Sequence, residues 1–137
     1  MERAFELLHP AGVAISRGLT QAKLMDSFKG QDLPHQDMGT GWVWIRLPPF
    51  PDGELVVAIS LGFNRGTLEQ ISLSDANPKY GTSWDDWSEK QEQLRANAMG
   101  RWLTDRGYAA GSYSWGSVWA AYDAKSGSGS AGVRYAI

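Results

Sequence analysis

Carboxylates and hydroxyls are plentiful in this chain, but the bases and thiols that would activate them are few. There are two histidines, His9 and His35, and no cysteine. A serine or threonine nucleophile needs an adjacent base to take its proton. Only a hydroxyl carried to His9 or His35 by folding would qualify. No G-x-S-x-G elbow occurs, because "GTSWD" (81–85) and "YSWGS" (113–117) both depart from it. The run "DLPHQD" places Asp32, His35 and Asp37 close together. Such a trio can hold a cation, but metal sites draw further ligands from rigid elements, and this run has the composition of a solvated loop. Paired carboxylates hydrolyse glycosides when held roughly 5–9 Å apart in a cleft. Asp85, Asp86, Glu89 and Asp123 are the acids to consider, yet the adjacent Asp85 and Asp86 diverge on a helix. The glycine-rich "GSGSAG" (127–132) lacks the lysine and following helix of a phosphate cradle and reads as a hairpin turn.

The acids of "YGTSWDDWSEKQEQL" (80–94) have a structural reading as well. With Trp87 as reference and about 100° per residue, Trp84, Gln91, Leu94, Ala98 and Trp102 share one stripe. Asp85, Glu89, Glu92, Gln93 and Asn97 fall away from it. A helix over 84–106 is predicted, its tryptophans in the core and its carboxylates in solvent. Ser83 and Asp86 match a capping pattern, acids in the first turns complement the helix dipole, and Gly107 ends the element.

The remaining elements frame this helix. Phe5, Leu7 and Leu8, then Val13 and Ile15 beyond Pro10, suit one or two short strands. "GLTQAKLMDSFKG" reads as a short helix over 20–29, with Thr20 as N-cap and Gly30 as stop. Residues 31–41 read as loop. Trp42 to Leu47 alternate with large groups on both faces. "ELVVAISLGF" places Leu55, Val57, Ile59, Leu61 and Phe63 on one face, and Asn64-Arg65-Gly66 turns the chain into the antiparallel partner "TLEQISL". "YSWGSVWAAYDAK" and "AGVRYAI" read as two more strands, with Tyr113, Trp115, Ser117 and Trp119 sharing a face unless Gly116 introduces a bulge. Trp42 and Trp44, or Trp115 and Trp119, are then the aromatics able to line a groove on the sheet face opposite the helices.

The 137 residues suit one domain spanning 1–137, and 42% hydrophobic with 20% charged residues is a globular composition. The formal charge of −2 argues against nucleic acid, which is bound by neutralising phosphates, and favours a basic partner. The lack of cysteine fits the reducing cytoplasm, and no window has the apolar length of a membrane span.

Two resemblances add to this reading. "ISRGLTQAKLMDSFKG" (15–30) resembles the helix-opening segment of the small lipoprotein and beta-lactamase-inhibitor-like folds. There a Gly-hydrophobic-Thr start precedes a short helix ending in Gly, and strands follow. The later stretch, "LEQISL" (68–73), "YGTSWDDWSEKQE" (80–92) and "YSWGSVWAAYDAKSGSGSAGVRY" (113–135), resembles small uncharacterised bacterial proteins, some of which are cytoplasmic immunity partners of secreted toxins. That resemblance implies a class of role and supplies no catalytic residues.

The expectation is an α+β domain: a single antiparallel sheet of about five or six strands with one long and one short helix packed on it. The function expected is non-enzymatic binding, as an immunity protein or inhibitor of a toxin or other enzyme, with no cofactor and no metal. The expected partner-binding residues are Asp85, Glu89, Glu92, Trp42 and Trp44. The alternatives are a small-molecule-binding or hydrolytic domain with a Trp-lined pocket, and a structural subunit burying Trp42 and Trp44 in a homodimer.

Overall fold

The computed structural model describes residues 3–80 and 84–136. The fold is built around one long hairpin. Strands β6 (Leu55–Asn64) and β7 (Thr67–Asp75) pair antiparallel across Arg65 and Gly66. Both turn residues have positive φ, 51° and 86°, the geometry of a primed two-residue turn whose twist matches that of the strands. The turn is therefore shorter than the three residues expected. The alternation read from the sequence holds: Val57, Ile59, Leu61 and Phe63 are buried on one face, with Ile71 and Leu73 beside them.

The sheet grows outward from this hairpin. It contains β3 (His35–Asp37), β4 (Trp42–Arg46), β8 (Gly111–Tyr113), β9 (Gly116–Asp123) and β10 (Ser128–Tyr135) in the order β3-β4-β6-β7-β10-β9-β8. β5 (Phe50–Asp52) also pairs with β6, giving eight antiparallel strands rather than five or six. The additional strands are short ones that leave little trace in the sequence. All three β3 residues are exposed, so no apolar alternation marks them, and β5 carries Pro51, which an edge position tolerates. The single strand expected through Trp115 is instead a hairpin, with Tyr113 paired to Gly116 and Ser114-Trp115 as its turn. β1 (Glu6–Leu8) and β2 (Ala14–Ser16) form a separate two-stranded ribbon.

Helix α1 (Gln21–Ser27) begins as expected, with Thr20 Oγ1 accepting from the Lys23 amide at 3.2 Å. The long helix differs. α2 runs Glu89–Asp105 with Ser88 as its cap, and Trp84–Asp86 form a separate turn of 3-10 helix. The proposed Ser83 cap lies outside the described residues. The buried stripe of α2 is Glu92, Ala96, Met99, Trp102 and Leu103, rotated from the one anchored on Trp87. The expectation that Trp84 and Trp87 are core is thus overturned: Trp84 is 75% exposed, Trp87 38% and Leu94 45%. Residues 84–87 precede the helix, so projecting it back through them set the wrong phase. A charged residue inside the buried stripe masked the right one.

One face of the sheet carries the whole core. α2 packs across β7, β9 and β10, while the β1–β2 ribbon and α1 add Phe5, Leu7, Ile15, Leu24 and Phe28 to the same apolar cluster. Burial of this apolar surface is the main stabilising term. The opposite face is uncovered among the described residues. No helix of the described residues is long and apolar enough to cross a membrane.

Candidate functional site

Of the groups considered for catalysis, His9 and Asp123 are taken up by the fold. His9 is buried, its Nδ1 accepting from the Ala11 amide at 3.0 Å and its Nε2 facing the Pro48 carbonyl at 3.0 Å. With one nitrogen accepting and the other donating, the neutral ring is fully used as a structural link. His35 Nδ1 lies 3.2 Å from the Leu33 carbonyl, and Asp37 accepts from the Gly39 amide in a turn. Among the described residues no three His, Asp or Glu side chains converge on a metal-sized site. Asp123 is held in the β9–β10 turn, where it accepts from the Lys125 amide at 3.0 Å and the Ser126 hydroxyl at 3.1 Å.

The five residues expected to meet a partner separate into three environments. Asp85 and Glu89 are exposed, as expected. Glu92 is not: it is 5% exposed, its Oε1 accepts the Gly129 amide at 3.0 Å, and its Oε2 lies 3.2 Å from Arg95 Nη2. A carboxylate so placed is buried with its partners and cannot meet another protein. Trp84 and Trp87, which flank Asp85 in the chain and precede Glu89, are exposed as well. The Trp84 and Trp87 rings lie 6.0 Å apart, and the Trp87 indole N–H donates to the Gly127 carbonyl at 2.6 Å, docking the pair onto the tip of the β9–β10 hairpin. The result is an exposed patch of two indoles flanked by acids at the start of α2.

Trp42 and Trp44 lie elsewhere, half-buried on the uncovered sheet face, their rings 6.2 Å apart and within 16° of parallel. Trp119 joins them on that face, 36% exposed, whereas Trp115 folds into the core against Tyr113 and Tyr135. The sequence named both aromatic pairs but did not divide Trp115 from Trp119, because the turn that carries Trp115 reads as strand. The alternation of Trp42 to Leu47 already puts Arg46 on the face of Trp42 and Trp44, though not as a site residue; Arg134 was missed, and the strand register brings it onto the same face, both arginines being exposed.

A cleft of about 520 Å³ opens between α2 and the β5–β6 turn, with Leu55, Tyr80, Leu94 and Trp102 in its walls and Glu54 and Arg101 at its rim. At its end Asp52 accepts from Trp102 Nε1 and Arg106 Nη2, each at 2.8 Å. These two hydrogen bonds, with the Arg106 charge, hold the Asp52 carboxyl below the usual carboxylate range. A general acid needs the opposite shift. None of Asp85, Glu89 and Asp123 lines this cleft. The carboxylates that do line it are Glu54 and Asp105, so a hydrolytic reading gains from it none of the acids named for that role.

Comparison of the chain with family models, with curated proteins and with solved structures finds no match in any of the three.

Proposed function

We propose that this protein is a non-enzymatic binding protein, an immunity-type inhibitor acting in the cytoplasm on a basic toxin or other basic enzyme, and that it meets its target through Trp84, Trp87, Asp85 and Glu89. The observation that carries the reading is the exposure of Trp84, 75% accessible beside Trp87 and two exposed carboxylates. Exposed tryptophans are expensive to leave in water, and Trp supplies rigid hot-spot area at protein interfaces. The flanking acids add a field that favours a basic surface and speeds encounter with it. His9 and Asp123, engaged in packing and in a turn, support the same reading, since they are withdrawn from chemistry. The resemblance of 68–135 to toxin-immunity proteins points the same way.

The test is inhibition by the full chain. The protein is used to isolate a basic target at low salt, and the target's activity is then titrated with wild type and with the Trp84→Ala/Trp87→Ala double variant. Stoichiometric inhibition by wild type that the variant has lost supports the proposal. Equal inhibition by both, or binding without inhibition, contradicts it.

A further inference from the structure

On the uncovered sheet face, at a distance from the acidic patch, two tryptophans lie directly over glycines. Trp119 is the cross-strand partner of Gly132, and three of its ring atoms fall 2.0, 2.4 and 2.5 Å from where a Cβ on Gly132 would be. Trp44 is the partner of Gly62, with ring atoms at 2.8, 2.9 and 3.0 Å from the corresponding position. Three ring atoms at nearly equal distance mean that each indole lies face-on against the backbone. Trp119 is 36% exposed and Trp44 half-buried, and Trp42 is stacked with Trp44, 6.2 Å away and within 16° of parallel. Covering a strand glycine with a cross-strand aromatic is a recognised way to restore packing. Here it also leaves Trp44 and Trp119 partly exposed on the uncovered face.

The groups between the rings are polar and small. Arg46, Ser60, Ser72, Gly132 and Trp119 are successive cross-strand partners, and the next row runs Trp44, Gly62, Gln70, Arg134. The two indoles lie over β6 and β10, two strand spacings apart across the sheet and one row apart along it, or roughly 12 Å. Beside Trp44 the surface dips into a hollow of about 270 Å³ lined by Gln36, Arg46 and Ser60 with Pro34 and His35. That is close to the lower limit of small-ligand sites.

From this arrangement we infer that the uncovered face binds an oligosaccharide carrying a carboxylate-bearing sugar, with one ring seated on Trp44 in the hollow and a further ring on Trp119. A pyranose has an apolar C–H face that stacks on an indole and a rim of hydroxyls that needs donors and acceptors, which Gln36, Ser60, Gln70 and Ser72 supply. The charge selects the acidic sugar. Arg46 and Arg134 are the charged members of the two rows, neither is ion-paired among the described residues, and a guanidinium fits a carboxylate bidentately. The same two arginines oppose a face-to-face second copy, which would bring like charges together without carboxylates between them. Two cations on a chain of net charge −2 are also too few for a polyanionic nucleic acid.

The experiment is titration of the full chain with uronic-acid oligosaccharides (galacturonate, mannuronate and hyaluronan oligomers), with cellotriose, and with a short single-stranded oligonucleotide. Indole and backbone N–H signals are followed by NMR. The expected result is saturable shifts at Gly62, Gly132 and the Trp44 and Trp119 indoles with at least one uronic-acid oligomer. Binding should be about tenfold or more weaker in Arg46→Gln, a change of roughly 1.4 kcal/mol. Because Trp44→Ala uncovers Gly62 and is able to unfold the protein, the decisive variants are Arg46→Gln and Arg134→Gln, checked for unchanged unfolding midpoints. No response to any uronic-acid oligomer overturns the inference. So does equal affinity for cellotriose, tighter binding of the oligonucleotide, or unchanged affinity in both arginine variants.

Discussion

Glu92 and Gly129 are in direct contact between helix and sheet. The Glu92 carboxylate accepts the Gly129 amide at 3.0 Å, and a Cβ on Gly129 would fall 1.7 Å from the Glu92 backbone oxygen. The glycine lets the first turn of α2 rest on the strand itself, and the carboxylate satisfies the amide left beneath it. An acid that a hydropathy pattern assigns to solvent is in this way a central contact of the fold.

Replacing Glu92 by alanine should therefore destabilise strongly. The change strips a buried amide of its acceptor and leaves Arg95 without this carboxylate. Breaking a buried pair on one side is destabilising by about 3–5 kcal/mol, and the partial exposure of Arg95 places the expected loss near the lower figure. Urea unfolding measures it, and a loss under about 1 kcal/mol contradicts the contact.

The tryptophans should separate by environment. Trp84→Ala should change stability by no more than about 0.5 kcal/mol, the range of exposed surface substitutions. Trp115→Ala should cost about 3–5 kcal/mol, as for other buried large aromatics. Similar losses at both positions in urea unfolding would show that Trp84 is packed.

Much of this was legible in the sequence and some was not, for identifiable reasons. The β6–β7 hairpin could be read because Leu55 to Phe63 alternate without a break and Gly66 marks the turn. The α1 cap could be read because Thr20 precedes a short helical pattern. α2 was misphased because two conspicuous tryptophans lie before its true cap, Ser88, while its buried face includes Glu92. β3 and β5 were invisible because their residues bury little. The exposure of Asp85 and Glu89 was legible from their charge and their position off the tryptophan stripe. That Trp84 and Trp87 join them on the surface, and that Trp44 and Trp119 lie over glycines, depends on pairing between distant segments.

The two covered glycines give an ordering. A strand glycine exchanged for alanine normally gains about 0.5–1 kcal/mol of backbone stability. At Gly132 the new methyl would sit 2.0 Å from the Trp119 ring, and at Gly62 2.8 Å from Trp44. Both exchanges should destabilise, by about 1–3 kcal/mol for overpacking, with Gly132→Ala the larger. Thermal unfolding of the two variants checks the order, and a stabilised Gly132→Ala would mean that the indole does not lie there.

Asp52 links acid sensitivity to the end of α2. Its carboxyl is held below its ordinary value by Trp102 and Arg106, so the ionised form is favoured in the folded protein. The stabilisation is present above the unfolded pKa of about 3.9 and is lost as pH falls through the lower folded value. Asp52→Asn should cost about 1 kcal/mol at pH 7, discounted because the pair with Arg106 is partly exposed. The difference from wild type should shrink as pH drops below about 4. Unfolding midpoints measured across that range check the sign, and a constant difference contradicts it.

The proposed partner surface is tested most directly by the association rate with the inhibited target at low and high salt, for wild type and for Asp85→Lys/Glu89→Lys. Exposed acids that steer a basic protein act mainly on the on-rate and are screened by ions. The double reversal should slow association about tenfold or more at low salt, with the difference fading as ionic strength rises and the unfolding midpoint unchanged. An unchanged on-rate at low salt would contradict the assignment of this acidic, tryptophan-bearing patch as the surface that meets the target.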